Sequence, residues 1–391
     1  MPVVASDEKS GLAVCVATRL DELSPYADQW NRLAYESVQQ KPSLSYAWIS
    51  SFLEHRMRPR ESWFCLLGLK GQELVGVLPV VVKPRGLFGL GPHRLCTPAD
   101  FHTLSVDLLA RPEHLGAIIP LFLRAIDKVQ PRWFCLEVSH IQETSPSIAA
   151  IGAGLPGVTT VTRYDGFGYF LKLPENLELI RSTWSYNFRK QMNRVGRRLR
   201  ELNGFKENVL RGKDATVESF QKLLDVEASG WKGRRGTAIK ISPSLAQFYI
   251  SLCQRLAEAG WLELYFLEVE GKTIAASMVV RLRSTGVGLK IAYDEAYQKY
   301  SPGYLIIEYK LREAIALHQI DTFDFVSDSK WQKSLGPSTR DYFSLYIYPR
   351  HPIPLLFGAC PRKAYLFLRR VPGVLPVYRW LARLRRREER E

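Results

Sequence analysis

The sequence predicts an α/β (α+β) protein built as two copies of one domain. Each copy is a mixed, mostly antiparallel sheet flanked by helices, and a basic tail follows them. Two observations carry this. An order of elements recurs at an offset of about 190 to 200 residues. The composition, 46% apolar and 24% charged over 391 residues, suits a globular chain with two or three cores. No apolar run reaches the ~18 residues a spanning helix needs, so an integral membrane protein is not expected.

Each copy opens with helical segments, Leu23 to Leu53 in the first and Val217 to Leu256 in the second. A hairpin follows in each. In the first, strands Trp63 to Leu69 and Leu74 to Lys83 flank a Lys70-Gly71-Gln72-Glu73 turn. In the second, strands Trp261 to Val269 and Thr273 to Arg283 flank Glu270-Gly271-Lys272. A strand, a helix and a strand complete each copy. They are Leu104 to Ala110, Glu113 to Val129 and Trp133 to Val138 in one, and Val287 to Tyr293, Gly303 to His318 and Thr322 to Val326 in the other. A boundary near Pro174 gives domains at 12–174 and 175–349, with the tail at 350–391.

The net charge of +15 is concentrated in two segments of +8 each, 181–213 and 350–391, which leaves the rest at −1. The first segment is predicted to be a helix, because Phe188, Met192, Val195, Leu199 and Leu202 repeat at helical spacing. Ser182 or Ser185 caps it and Asn203-Gly204 stops it. Arg189, Lys190, Arg194, Arg197, Arg198 and Arg200 occupy its other faces, either as a solvated surface or as a platform for anions. The second segment interleaves arginines with Tyr365, Phe367, Tyr378 and Trp380, which suits an anionic bilayer surface or a tail packed on the body. The six cysteines are scattered, with no CxxC pair, so neither a disulfide framework nor a metal site is expected. With no signal peptide over Met1 to Ser10, the expectation is a cytoplasmic protein, peripheral at the inner face of the membrane if the tail binds lipid.

The chemistry is expected after the third strand of the second copy. There Tyr293-Asp294 leads through Glu295 to Tyr300 into Ser301-Pro302-Gly303 and a helix. Ser301 reads as an N-cap, Pro302 as the first helical residue, and Gly303 as a place for a ligand to approach the backbone. Within this helix no acid appears before Glu308, so the free N–H groups of its first turn suit a pyrophosphate or carboxylate. The corresponding helix start in the first copy, Arg111-Pro112-Glu113, carries an acid that repels a phosphate. A G-x-S-x-G elbow, a P-loop and a dinucleotide fingerprint are absent, and His55, His102 and His318 have no nucleophile in a recognisable motif.

These residues resemble the acyl-CoA site of GNAT-fold N-acyltransferases. More narrowly, they resemble the cellulose- and exopolysaccharide-associated (CelD/BcsL-like) acetyltransferases, relatives of the FemAB transferases. The resemblance spans roughly 12–348 and rests on six pieces. They are Asn187 to Arg198, Glu227-Ala228-Ser229-Gly230-Trp231-Lys232-Gly233, Gly236 to Ile239, the Asp294 to Gly303 loop, Phe323-Asp324-Phe325 with Lys333, and Asp100. The chain departs from the usual pyrophosphate loop by keeping only Gly303. It also has Ser327-Asp328-Ser329 where relatives carry glycine.

The resemblance implies acyl transfer from acyl-CoA, a co-substrate and not a tightly bound cofactor, to an amine on an envelope, polysaccharide-precursor or lipid acceptor. It implies Asp324 as base or acceptor anchor, and Tyr300 or Tyr293 as the acid for the thiolate. Ser301, Gly303, Tyr304, Arg189 and Arg194 would hold the donor, and Asp100, Trp231, Lys232 and Lys333 the acceptor. Two rivals stand beside it. One is a FemAB-type transferase that uses aminoacyl-tRNA, the one case in which nucleic acid would be a partner. The other is an inactive scaffold in an envelope-biosynthesis complex.

Overall fold

A computed structural model describes residues 1–85, 91–103 and 105–368. In chain order the strands are β1 (Val3–Asp7), β2 (Leu12–Ala17), β3 (Ser62–Lys70), β4 (Glu73–Arg85), β5 (Gly91–Cys96), β6 (Leu109–Ala110) and β7 (Trp133–Gln142). They continue as β8 (Val158–Lys172), β9 (Lys206–Arg211), β10 (Leu262–Val269), β11 (Lys272–Leu282), β12 (Thr285–Tyr293), β13 (Thr322–Asp324) and β14 (Ser338–Pro349). They join into one continuous sheet, β1-β2-β3-β4-β5-β7-β14-β8-β13-β12-β11-β10-β9, with β6 beside β4. Pairing is antiparallel except for β5 with β7 and β12 with β13.

The repeat is visible in that order. β2, β3, β4, β5 and β7 occupy the places that β9, β10, β11, β12 and β13 occupy in the other half. Both expected hairpins form. The second turns through Glu270 and Gly271, both left-handed at φ 50° and 78°, the backbone a two-residue turn requires between right-twisted strands. The last strand of each half crosses over. β8 follows β7 in the chain but pairs β13, while β14 follows β13 but pairs β7. β8 and β14 pair with each other along their length. The strand pairing therefore runs through the neighbourhood of Pro174 and ties the halves together.

The third strand of the first half differs from expectation. It is Gly91–Cys96, and of the stretch expected to be a strand only Leu109–Ala110 is one. Leu104 lies outside the described residues. β5 carries Gly91 and Pro92 and gains its place from two neighbours, β4 and β7, a tertiary effect that local propensity does not report.

Helices cover both faces. On one face a shared core joins the halves, with helix Tyr46–His55 against helix Pro243–Glu258 and Trp48 edge-on to Phe248 at 5.7 Å. On the other face helix Pro112–Val129 covers the first half. Helix Pro302–Ala316 and the basic helix Tyr186–Arg200 cover the second. The basic helix is capped by Ser185, whose Oγ accepts from Phe188 N at 3.3 Å, and it buries Met192, Val195 and Leu199 as its spacing demands. Segment Pro352–Leu368 continues as helical turns that leave Ile353, Leu356, Phe357 and Phe367 exposed. The expected lipid-facing tail from Arg369 onward lies outside the described residues.

Candidate functional site

β12 and β13 pair over only three positions, ending at Val287 with Asp324. Beyond that point they diverge, because Phe325 and Ser327 bond to Tyr169 of β8 instead, each at 3.0 Å. The register of β12 against β11 also slips between Gly288 and Lys290, so Leu289 is an extra residue in a bulge facing the wedge. The result is a cleft of about 620 Å³. Gly288 to Ile291 form one wall, Phe325, Ser327, Ser329, Trp331 and Gln332 the other, and Ser301 to Tyr304 with Ile307 and Lys310 close an end. Trp231 and Lys232 stand at the opposite end.

Six residues expected in the site do line this cleft: Trp231, Lys232, Tyr293, Ser301, Gly303 and Tyr304. Tyr293 packs on Gly303, where an added Cβ would lie 3.2 Å from its ring. Tyr304 is edge-on to Trp331 at 5.9 Å, with its hydroxyl at 3.2 Å from the Trp331 carbonyl. The loop bearing Trp231 is pinned to the helix-entry loop, because Glu295 accepts from Trp231 N at 2.9 Å and from Arg234 at 2.6 Å. Lys232 reaches back to the buried Glu227 at 2.6 Å. Gly233 is required there, since a Cβ would run into the Ala228 carbonyl.

Ser301 departs from the expected cap. It sits in the left-handed region at φ 53°, and its side chain caps nothing. Its carbonyl instead accepts from Tyr304 N at 3.0 Å and Leu305 N at 3.2 Å. The first turn of the helix carries no acid, as expected.

Asp324 lies elsewhere. It is 2% exposed, absent from the cleft lining, and bound by Lys41 Nζ at 2.6 Å and Arg340 at 3.0 Å. Its other oxygen accepts from Val326 N at 2.7 Å, where the β-branched Val326 holds φ at 59°. Burial alone would raise its pKa, but the Lys41 charge and hydrogen bond, with Arg340, hold the carboxyl below its usual range. A carboxylate held by two cations is a poor proton acceptor, and Asp324 is placed as a clamp between the halves. Tyr300 is half-buried behind the loop beside Tyr297, and Lys333 is exposed outside the cleft. Asp100 binds Arg56 at 2.8 Å and accepts from the backbone N–H groups of His102 and Thr103, each at 2.8 Å. It shapes a loop and does not line the cleft.

Arg189 is partly buried and Arg194 exposed on the basic helix. Neither has a carboxylate within 4.0 Å among the described residues.

Three features of the cleft had no sequence signal. Lys310 is 3% exposed, and its Nζ donates to Ser277 Oγ at 2.9 Å. No carboxylate pairs it among the described residues, and burial pushes its pKa down to about 7. Gln332 is buried with its Oε1 unpaired among the described residues, an acceptor on the cleft wall. Lys290 faces His102, which arrives from the first half on the Asp100 loop. Only a helix or strand face known in three dimensions distinguishes these from ordinary surface residues. Groups of acidic, histidine and cysteine side chains suited to a metal are absent among the described residues. No helix among them is long and apolar enough to cross a membrane.

Residues 186–333 match the family model described as an acetyltransferase (GNAT) domain. No curated protein matches the chain. Solved structures share its fold. FemX aligns at TM-score 0.56 and 10% identity, over 83% of this chain and 96% of that one. A conserved protein of unknown function from Bacteroides thetaiotaomicron aligns at TM-score 0.54 and 15% identity, over 83% and 97%. The C-terminal domain of a protein designated a lysylphosphatidylglycerol synthetase, from Agrobacterium fabrum, aligns at TM-score 0.50 and 10% identity, over 87% and 95%. The match to the acetyltransferase (GNAT) domain model, over residues 186–333, thus falls on the stretch that holds the divergent strands and the cleft between them, within a larger sheet of GNAT-like fold.

Proposed function

We propose that the protein transfers an acyl group from acyl-CoA, or another acyl thioester, to an amine on an envelope, polysaccharide-precursor or lipid acceptor. The observation that carries this is the wedge between β12 and β13, which opens at one end on the acid-free start of helix Pro302–Ala316. An extended thioester arm lies along β12 in such a wedge. Its phosphates meet the helix N–H groups, and its carbonyl reaches the bulge at Leu289. Gln332, whose buried Oε1 has no partner among the described residues, lies on the wall beside that arm. The amine approaches from the side of Trp231 and Lys232 and attacks the thioester directly, with the thiol leaving. The exposed Ile353, Leu356, Phe357 and Phe367, near Arg362 and Lys363, favour an acceptor at a membrane surface. Calorimetry of the full chain with acetyl-CoA, palmitoyl-CoA and free CoA tests the donor. Saturable binding that depends on chain length supports acyl-CoA as the donor, and no binding to any of the three refutes CoA and moves the donor to an acyl-carrier-protein thioester or aminoacyl-tRNA.

A second reading, transfer from aminoacyl-tRNA, is favoured by one feature. Arg189, Lys190, Arg194 and Arg198 are free of carboxylate partners among the described residues, over a length of about 13 Å of helix, more than a pyrophosphate spans. RNA binding that weakens steeply with salt, together with no CoA binding, would move the conclusion there.

A further inference from the structure

Lys290 lines the cleft from β12, and the surroundings of its amine come from four elements of both halves. His102 Nδ1, on the first-half loop that Asp100 and Arg56 organise, stands 3.0 Å from Lys290 Nζ. The same Nδ1 lies 3.2 Å from the hydroxyl of Tyr249 on helix Pro243–Glu258. The Tyr249 ring sits beneath the amine, 4.9 Å to its centroid. Lys232 and its partner Glu227 complete the surroundings from the second half. No carboxylate contacts Lys290 within 4.0 Å among the described residues. Among the described residues the cleft lining holds no acid, and Asp324, expected as base or acceptor anchor, is not part of it.

We infer that Lys290 is the proton acceptor for the incoming amine, and that His102 is the positioning residue that turns its Nζ toward the cleft. This rests on the acyl-transfer reading above. The acceptor enters as R–NH3⁺, and the neutral Lys290 amine takes one proton. The freed electron pair attacks the thioester carbonyl carbon. The C–N bond forms, then the C–S bond breaks, and the thiolate takes the second nitrogen proton and leaves as the thiol. Lys290 returns its proton to water. Amide, thiol and one proton result, with nothing oxidised or reduced.

The electrostatics agree with this role. Burial first, then the charge of Lys232, brings the Lys290 pKa down to about 8 against the pull of Glu227 and Asp100. Burial first, then Lys290, keeps His102 neutral, at about 4, against the pull of Asp100 and Glu227 and with a further push from Arg56. A neutral imidazole accepts from the lysine and does not repel it. At neutral pH, Lys290 then carries roughly two orders of magnitude more free amine than a surface lysine.

The test is labelling of the intact chain with limiting acetic anhydride from pH 6 to 11, with modification of Lys290 read by mass spectrometry, with and without acetyl-CoA. Reaction of Lys290 is expected to rise with a midpoint near 8. His102→Ala is expected to lower that midpoint, and His102→Gln, which keeps an acceptor, to restore it. An ordinary lysine midpoint, or no access to the reagent, overturns the proposal. The donor reading fails separately. If Lys290 titrates near 8 but acetyl-CoA neither binds nor protects, the donor is wrong and the residue's reactivity stands. In acetyl-CoA turnover, Lys290→Met should lose transfer to ethanolamine, an ammonium ion at pH 7.5, yet keep transfer to hydroxylamine, already neutral. Equal loss of both overturns the role of Lys290.

Discussion

Asp324→Asn separates a clamp from a catalytic base. The substitution keeps the shape of the side chain and removes the charge that faces Lys41, 4% exposed at its side chain, and Arg340, 19% exposed. Two cations then share a buried space with a neutral amide. Breaking a buried pair from one side costs about 3–5 kcal/mol. For a chain of 391 residues that is a fall in melting temperature of roughly 4–6 °C. The assay is calorimetric melting of the full chain at pH 7 and pH 5. The folded-state pKa of Asp324 lies below its unfolded value. Its stabilisation is therefore present above the ordinary carboxylate range and is lost only as pH falls through the lower, folded value. Lys41 has a raised pKa despite burial, held up by Asp324, so its share is lost only as pH rises past the ordinary lysine range. The gap between wild type and variant should thus be the same at pH 7 and pH 5. A variant that melts within about 1 °C of wild type and has lost acyl transfer would refute the clamp and restore Asp324 as a base.

Other perturbations follow from the same geometry. Gly303→Glu puts bulk against Tyr293 and charge at the helix start, so acetyl-CoA affinity measured by calorimetry should fall at least about tenfold, and an unchanged value refutes the helix-start assignment. Gly233→Ala forces the Trp231 loop off the Ala228 carbonyl. Quenching of tryptophan fluorescence by acrylamide should increase, and a loop that stays in place would contradict the packing. Lys310 has its pKa lowered to about 7, so between pH 7 and the ordinary lysine range the unfolded chain holds a proton that the folded chain has released. Wild-type stability should rise across that window, and Lys310→Met should raise stability at pH 7 and flatten most of the rise, Lys290 supplying the remainder. An unchanged slope would show that Lys310 is hydrated.

Legibility in the sequence followed the range of the interactions. Trp231 and Lys232 were readable from the contiguous Glu227 to Gly233 segment that carries the resemblance, and they stand at one end of the cleft. The cap at Ser301 was misread because a positive φ is decided by what the turn must join, and Ser301 carries its carbonyl inward in place of its hydroxyl. His102 looked like an isolated histidine, since its partner lies 188 residues away. Asp324 looked catalytic because its counter-ion, Lys41, is 283 residues distant.

The sequence by itself determined the repeat, the two hairpins, the basic helix with its buried stripe, and the acid-free helix start. Each of these is set by periodicity, turn chemistry or capping within a few residues. The tertiary structure alone decided the exchange of β8 and β14, the divergence of β12 from β13, and the meeting of His102 with Lys290. In each of these, backbone or side-chain groups choose among partners far apart in the chain, and that choice depends on which strand edges and faces the packed halves leave open.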